Sequence, residues 1–302
     1  MKVTLPNPEN EKIKVWIDGT LYPREEAKIS VFDSVVQGGD AVWEGLRIYD
    51  SKIFMLEEHI KRMRNSAHIL AFNDIPSAEY IRNAIFKTLQ ANGMRDKAHL
   101  RVTLTRGKKV TSGMNPKWNQ YGSTLIILAE WKPLIYKEES GLKLITSSIR
   151  RNNPQYLDSK IHHNNLLNNI LAKIEANYAG VDGSVMLDMN GFLSETNSTN
   201  IFMVRNGILL TPFADSCLPG ITRALLLEIA DENKIPCQEK NISISEMYTA
   251  EEMFVTGTEG ALAPVFEVDG RKIGNATRGS LTQKLQTLHT EAIKKLGVSL
   301  PF

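Results

Sequence analysis

A mixed α+β protein in two domains is what this sequence predicts, and three observations carry that expectation. The chain has 302 residues, long for one hydrophobic core and comfortable for two. Tight-turn dipeptides recur at Asp18-Gly19, Asn190-Gly191, Asn206-Gly207 and Asp269-Gly270. Such pairs join antiparallel strands, and there are too many of them for a doubly wound parallel sheet. Between the hairpins lie stretches with apolar residues at steps of three and four, the mark of amphipathic helices.

In order, residues 15–22 read as a hairpin turning at Asp18-Gly19. A bend at Gly38-Gly39-Asp40 leads into an alternating strand over 42–49, which turns at Asp50-Ser51 and returns through 53–56. Helices are expected over 57–71 and 77–92, the second with Ser77 as N-cap and Gly93 as stop. A strand over 99–106, a loop over 108–118 and a buried strand over 124–129 complete the first domain, 1–131. Residues 132–141 have Pro133 near one end, Gly141 at the other and charge between, which reads as the linker.

The second domain, 142–302, opens with a strand over 142–149 and a helix from Leu166 to Tyr178. Leu166, Leu167, Ile170, Leu171, Ile174 and Tyr178 lie on one face of that helix, read here as its buried face. Strands over 184–188 and 192–204 flank Asn190-Gly191, and 208–211 follows the Asn206-Gly207 turn. Residues 218–223 open a helix over 224–233, a strand at 253–256 ends in Gly257-Thr258-Glu259-Gly260, and a last helix runs over 278–296.

Composition narrows the function. Apolar residues make up 42% and charged residues 23% of the chain, with a net charge of +2 in no block of one sign. That argues against a nucleic-acid or membrane-surface protein. No run approaches the roughly 18 apolar residues of a membrane span, and the N-terminus shows no signal core. Cys217 and Cys237 have no metal-type spacing and read as reduced thiols, so a cytoplasmic protein is expected. His162 and His163 lack metal partners at suitable spacing, and no metal site is expected.

Five features then bear on chemistry. Lys160 precedes a helix that reads as buried, so its amine should lose hydration and become a usable nucleophile. The alternative is a lysine that extends its head to water. Glu195 sits on the return strand of the Asn190-Gly191 hairpin, among small polar residues. A fixed carboxylate there can hold a pyridine-type nitrogen protonated; a solvated strand glutamate is the plain alternative. In Leu218-Pro219-Gly220-Ile221-Thr222 a glycine before a helix start frees N–H groups for a phosphate, against ordinary capping by Thr222. The Gly257-Thr258 turn offers a second N–H nest. Arg62, on the first long helix, is a natural phosphate clamp or else a solvated helix arginine. Together these supply an amine, a ring-nitrogen carboxylate and anion sites, the requirements of pyridoxal 5′-phosphate.

The chain is also similar to a known family. Glu-Gly-Leu-Arg at 44–47, Glu-His-x-x-Arg at 58–62, Lys160, Ser-Glu-x-x-x-x-Asn-x-Phe at 194–202 and Leu-Pro-Gly-Ile-Thr-Arg at 218–223 resemble the fold type IV pyridoxal-phosphate enzymes. That group comprises branched-chain aminotransferases, D-amino acid aminotransferases, (R)-amine transaminases and aminodeoxychorismate lyases. The resemblance runs from about Val15 to Leu288 and is nearest to the branched-chain enzymes. It implies a small N-terminal α/β domain, a larger C-terminal mixed β-barrel-like domain that binds the cofactor, and a homodimer or higher homo-oligomer. It makes Lys160 the Schiff-base lysine and proton shuttle, and pairs Glu195 with the ring nitrogen. Arg62, Gly220, Ile221, Thr222, Gly257 and Thr258 would hold the phosphate.

The implied reaction moves an amino group from a branched-chain or other apolar L-amino acid to 2-oxoglutarate, donor and oxo acid taking turns. Trp43, Arg47, His99, Arg101 and Met114 are the substrate-side candidates, with core packing the alternative for Trp43 and Met114. Gly38 and His99 stand where tyrosines are expected, and Asn165 near where a tyrosine meets the cofactor. These changes widen and repolarise the pocket. Thr105-Arg106-Gly107 is similar to the D-amino acid enzymes, in which an arginine there grips the carboxylate. A D-amino acid or (R)-amine transaminase, or an aminodeoxychorismate lyase, is therefore the alternative reading.

Overall fold

The computed structural model describes residues 4–5, 7–132, 141–258 and 261–302. The chain divides into two compact units. Among the described residues, the first holds those up to Lys132 together with Ile161–Asn165 and Ile293–Phe302. The second holds those from Gly141 to Lys160 and Leu166–Ala292. The expected linker falls mostly on residues 133–140, outside the described residues.

The first unit is a sheet with helices on one face. Its elements are β1 (Lys14–Ile17), β2 (Thr20–Pro23), the short α1 (Ser34–Gly38), β3 (Ala41–Tyr49) and β4 (Lys52–Phe54). Then come α2 (Leu56–Ile69), α3 (Ala78–Ala91), β5 (Ala98–Thr105) and β6 (Thr124–Trp131). With the last strand of the chain, β16 (Gly297–Ser299), they form an antiparallel sheet in the order β16-β4-β3-β5-β6-β1-β2. The Asp18-Gly19 turn forms as read, both residues at positive φ (45° and 95°). Ser77 caps α3 by accepting from the Tyr80 N–H.

Strand alternation sets the two faces. Val42, Leu46 and Ile48 of β3 join Leu100, Val102 and Leu104 of β5 in the core beneath α2 and α3. The opposite face carries Trp43, Gly45 and Arg47 beside their partners Thr103, Arg101 and His99. An apolar face against helices and a polar face away from them is the division expected of a one-sided antiparallel sheet.

The second unit is a larger mixed sheet. It contains β7 (Leu142–Thr146), α4 (Leu167–Tyr178), β8 (Gly183–Leu187), β9 (Leu193–Thr196), β10 (Asn200–Arg205) and β11 (Ile208–Pro212). These are followed by α5 (Ile221–Glu232), β12 (Cys237–Lys240), α6 (Ile244–Tyr248), β13 (Glu252–Gly257), β14 (Ala261–Val268), β15 (Arg271–Lys272) and α7 (Ser280–Leu296). The strand order is β12-β11-β10-β13-β14-β7-β8-β9, with β15 paired to β14. The sheet curls so that its end strand β9 returns to β10 and β11.

Three expectations need correction. The strand read over 192–204 breaks in two, because Thr196 Oγ1 accepts the N–H groups of Ser198 and Thr199 and closes a turn. The strand after residue 141 stops at Thr146, where Ser147 and Ser148 turn aside to the Glu175 carboxylate. The apolar face of α4 is not its buried face: Leu167 and Tyr178 are 72% and 90% exposed, and Ile170, Leu171 and Ile174 are exposed too. The helix packs through Ala172 and Ala176 instead, small residues that let it approach β8 closely enough for Ser184 Oγ to donate to the Ala172 carbonyl.

Candidate active site

In the second unit, one loop gathers the predicted cofactor residues. Residues 215–220 run from the end of β11 into α5. Their backbone meets four side chains: Lys160 Nζ donates to the Asp215 carbonyl (3.1 Å), Ser194 Oγ to that of Ser216 (3.1 Å), and Asn200 Nδ2 to that of Leu218 (2.9 Å). The Leu218 N–H in turn donates to Glu195 Oε1 (3.3 Å). Lys160, Glu195 and the helix start are thus neighbours, although 35 and 60 positions separate Glu195 and Gly220 from the lysine.

Glu195 is 5% exposed on β9, opposite Met186 of β8. Its Oε1 lies 2.6 Å from Arg151 Nη2, and its Oε2 accepts from Asn200 Nδ2 at 3.3 Å. A buried carboxylate needs such partners, so the solvated-strand alternative fails. Arg151 is held in turn by Asn169 Oδ1 at 2.7 Å. Sequence reasoning gives neither Arg151 nor Asn200 a role. Asn200 is visible in the Ser-Glu motif, and the Arg150-Arg151 pair is the only signal for Arg151.

Lys160 departs from its expectation. Its side chain is 41% exposed, with Nζ also 3.4 Å from Asp158 Oδ1. The lost hydration that a buried helix would enforce is absent, since that helix does not bury its apolar face. The amine points at the 215–220 loop, whose Leu218 N–H reaches Glu195.

The helix start suits a phosphate. Gly220, not Thr222, is the N-cap of α5, and among the described residues no side chain caps the helix. The first N–H groups of Ile221 and Thr222 therefore face outward at the positive end of the dipole. A Cβ on Gly220 would lie 2.0 Å from Asn200 Oδ1, so only glycine fits against the asparagine that also braces Glu195. Gly257 ends β13 with Thr199 Cγ2 3.2 Å from where its Cβ would be. Next to it Thr256 Oγ1 is buried without a hydrogen-bond partner among the described residues. Thr258 follows, half-buried, and Glu259 and Gly260 of the same turn lie outside the described residues. The buried Cys217 thiol is pushed up to about 12, by burial first and then by Glu195. It is inert at neutral pH. An amine, a paired buried carboxylate, an uncapped helix start and an orphaned hydroxyl fit pyridoxal 5′-phosphate.

The first unit holds the other candidates. Arg62 donates through Nε and Nη2 to both oxygens of Glu44, at 2.8 and 2.7 Å. Glu44 also meets His59 Nδ1 at 2.7 Å and His162 Nδ1 at 3.1 Å. Burial alone would raise the Glu44 pKa, but His162 and Arg62 outweigh it and hold the carboxyl well below its usual range. On the polar sheet face the Arg101 guanidinium lies 3.9 Å from the Trp43 ring, and His99 Nε2 crowds Gly45. Arg47 is buried and donates to the Lys132 carbonyl at 2.7 Å. Met114 is 93% exposed on its loop, which removes core packing as its explanation.

Arg106 is committed elsewhere. It bonds Asp40 through Nε and Nη2 (2.6 and 3.1 Å), and the carbonyls of Leu70 and Ala71 at 2.7 and 2.9 Å, with its guanidinium over Phe72. It braces the end of α2 against the bend before β3.

Comparison with known proteins identifies the family. The sequence profile of amino-transferase class IV matches residues 41–268. The chain is 57% identical over 298 residues to a branched-chain-amino-acid aminotransferase-like protein 2 of Arabidopsis thaliana, covering 99% of this chain and 53% of that protein. It therefore spans about half the length of its plant relative. A putative branched-chain-amino-acid aminotransferase of Methanocaldococcus jannaschii is 39% identical, with 95% of this chain and 99% of that one covered. The structure is similar to that of a T.th. branched-chain amino acid aminotransferase complexed with N-(5′-phosphopyridoxyl)-L-glutamate, at a TM-score of 0.89 and 31% identity, covering 96% and 99%.

Proposed function

This chain belongs to the class IV aminotransferase family, and from that premise we propose that it is a transaminase using pyridoxal 5′-phosphate. Its donor is a branched-chain or other apolar L-amino acid, and its acceptor is 2-oxoglutarate. The observation that carries the reading is the buried Glu195–Arg151 pair, joined through one loop to Lys160 and to the uncapped start of α5. The acceptor is supported by the similar T.th. enzyme, whose complex carries a glutamate adduct of the cofactor.

When bound, the cofactor supplies an aldehyde that holds the amino group and a ring that takes up electron density from the substrate Cα. The protein supplies the rest. The N–H groups of Ile221 and Thr222, the Thr222 hydroxyl and the Gly257-Thr258 turn hold the phosphate. Glu195 would pair with the ring nitrogen, and Arg151 and Asn200 keep its carboxylate oriented. Lys160 Nζ would take the proton from the substrate Cα and deliver it to the carbon on the other side of the amino nitrogen. Trp43, Arg47, His99, Arg101 and Met114 are proposed for the substrate side, with Trp43 and Arg101 as the apolar and carboxylate contacts. The family resemblance makes Arg62 a phosphate ligand, and that role is kept in the proposal; its Nε and Nη2 also bond Glu44.

The D-amino acid alternative rests on Arg106, and all three of its guanidinium nitrogens are bonded within the first unit. That weighs for the L-amino acid reading. A homodimer or larger homo-oligomer in the cytoplasm belongs to the same proposal. Free Cys217 and Cys237 suit a reducing compartment, and light scattering measures the assembly. The decisive experiment mixes cofactor-loaded protein separately with L-leucine, D-alanine and an (R)-arylamine and follows the cofactor absorbance. L-leucine should change it fastest. A response to D-alanine alone would overturn the donor assignment, and full turnover by Lys160→Ala would overturn the chemistry.

A further inference from the structure

The residues that follow Lys160 belong to the first unit and are tied into it from two sides. His162–Asn165 runs antiparallel to the start of β3: the Trp43 N–H donates to the His162 carbonyl and the Asn164 N–H to the Ala41 carbonyl, both at 2.9 Å. From α2, Ser66 Oγ accepts the His162 N–H at 3.1 Å. The His162 side chain completes the tie. Its Nδ1 lies 3.1 Å from Glu44 Oε1, and its ring sits 4.2 Å from that of Trp43 at 38°. A hydrogen on Nδ1 donates to the Glu44 carboxylate, and Arg62 Nη2 lies 3.5 Å from the same nitrogen. Burial outweighs Glu44 and pulls the His162 pKa down, leaving the ring a neutral donor at neutral pH.

We propose that His162, clamped by Glu44, is a positioning residue for Lys160: it fixes the backbone two residues beyond the amine that must move a proton. The proposal rests on the transaminase reading above. A lysine exposed at its head and flexible along four methylenes gains little precision from its own contacts, which are the Asp215 carbonyl and Asp158. Precision must come from the stem. On one flank Ser159 Oγ donates to the Asn152 carbonyl. On the other, Ile161 is buried and His162 ends in a polar cluster with Glu44, Arg62 and His59. Histidine here does what a small residue could not, since a side chain must reach from the strand to Glu44 on β3.

The test uses holoenzyme of wild type, His162→Ala, His162→Asn and Ser66→Ala. Asparagine places an N–H near the position of Nδ1 and keeps the bond to Glu44. Two readouts are taken: single-turnover change of cofactor absorbance against L-leucine concentration, and amide exchange over residues 160–166 with and without cofactor. Expected for His162→Ala is a roughly ten-fold or larger fall in the limiting rate, the cost of a misplaced reacting atom. Donor affinity should hold within about two-fold, and exchange over 160–166 should rise even without cofactor. His162→Asn should recover most of the rate. If His162→Ala does not accumulate folded, Ser66→Ala decides, because it removes only one acceptor from the same segment. A lower rate and faster exchange support the proposal, and wild-type values overturn it. Alanine and asparagine variants that lose rate and donor affinity in equal proportion would reduce His162 to packing and overturn positioning. Wild-type cofactor absorbance that no amino acid changes would overturn the transaminase reading, with the exchange result still judging the anchor.

Discussion

Arg151 and Glu195 are each 7% exposed at their side chains and 2.6 Å apart, so neither charge has water to replace its partner. Glu195→Gln should therefore destabilise the fold by about 3–5 kcal/mol, because it strands a buried guanidinium. Glu195→Gln combined with Arg151→Met should recover part of that loss while leaving the protein inactive. Urea denaturation of the two variants checks the order, and equal losses would deny the pairing. His289 gives a separate pH signal. Burial lowers its pKa from 6.5 to about 4. A depressed folded-state pKa means that the unfolded chain binds the proton first, so stability is full above about pH 6.5 and falls as pH drops toward 4. The shift amounts to about 3 kcal/mol at its limit. His289→Gln should flatten that part of the stability–pH curve, read from melting temperatures between pH 7 and 4. An unchanged slope would mean that other groups govern the window. At this scale the sequence shows Lys160, Glu195 and Gly220, whose chemistry is local. It hides Arg151 and the Glu44–His162 bond, because a partner 44 or 118 positions away leaves no mark in its neighbourhood.

At the scale of elements, α4 separates what periodicity reports from what it does not. Steps of three and four name the helix and its apolar stripe, and both exist. The stripe faces outward, while the sheet is met by Ala172 and Ala176. Periodicity records that a helix has two faces; which of them meets the sheet depends on how closely its backbone must approach. Ile170→Ser and Ile174→Ser should accordingly leave stability within about 0.5 kcal/mol of wild type in dilute solution. Ala172→Leu, on the packed side, should cost about 1–3 kcal/mol through overpacking. Thermal melts of the three variants test the assignment, and a large loss from either serine would return the stripe to the core. The break between β9 and β10 carries the same lesson. A run of strand-forming residues conceals a turn that one threonine hydroxyl closes, and that turn sets Glu195 and Asn200 side by side.

Over the whole molecule, the α+β reading and the hairpins hold because turn dipeptides and strand alternation are local signals. The mixed character of the second sheet is only partly legible. Its parallel pairs, β7 with β8 and with β14 and β11 with β12, join strands distant in sequence, and short strands such as β12 carry no alternation. The two units have separate apolar clusters among the described residues, one around Leu46, Leu100 and Ile127, the other around Val185, Met203 and Val255. All four tryptophans, at 16, 43, 118 and 131, fall in the first unit, whereas Lys160 and Glu195 fall in the second. Intrinsic fluorescence is thus a probe of the first core, and cofactor absorbance a probe of the second. Leu100→Ala empties a fully buried site on β5, two residues along the core face from Val102. Losing that side chain should cost about 2–5 kcal/mol, the transfer term plus the cavity left behind. The expected result is a denaturation midpoint by fluorescence shifted by that amount, with the slope unchanged. A shift below about 1 kcal/mol would show that β5 is not the centre of the first core, and the sheet face assigned to Trp43 and Arg101 would lose its reference.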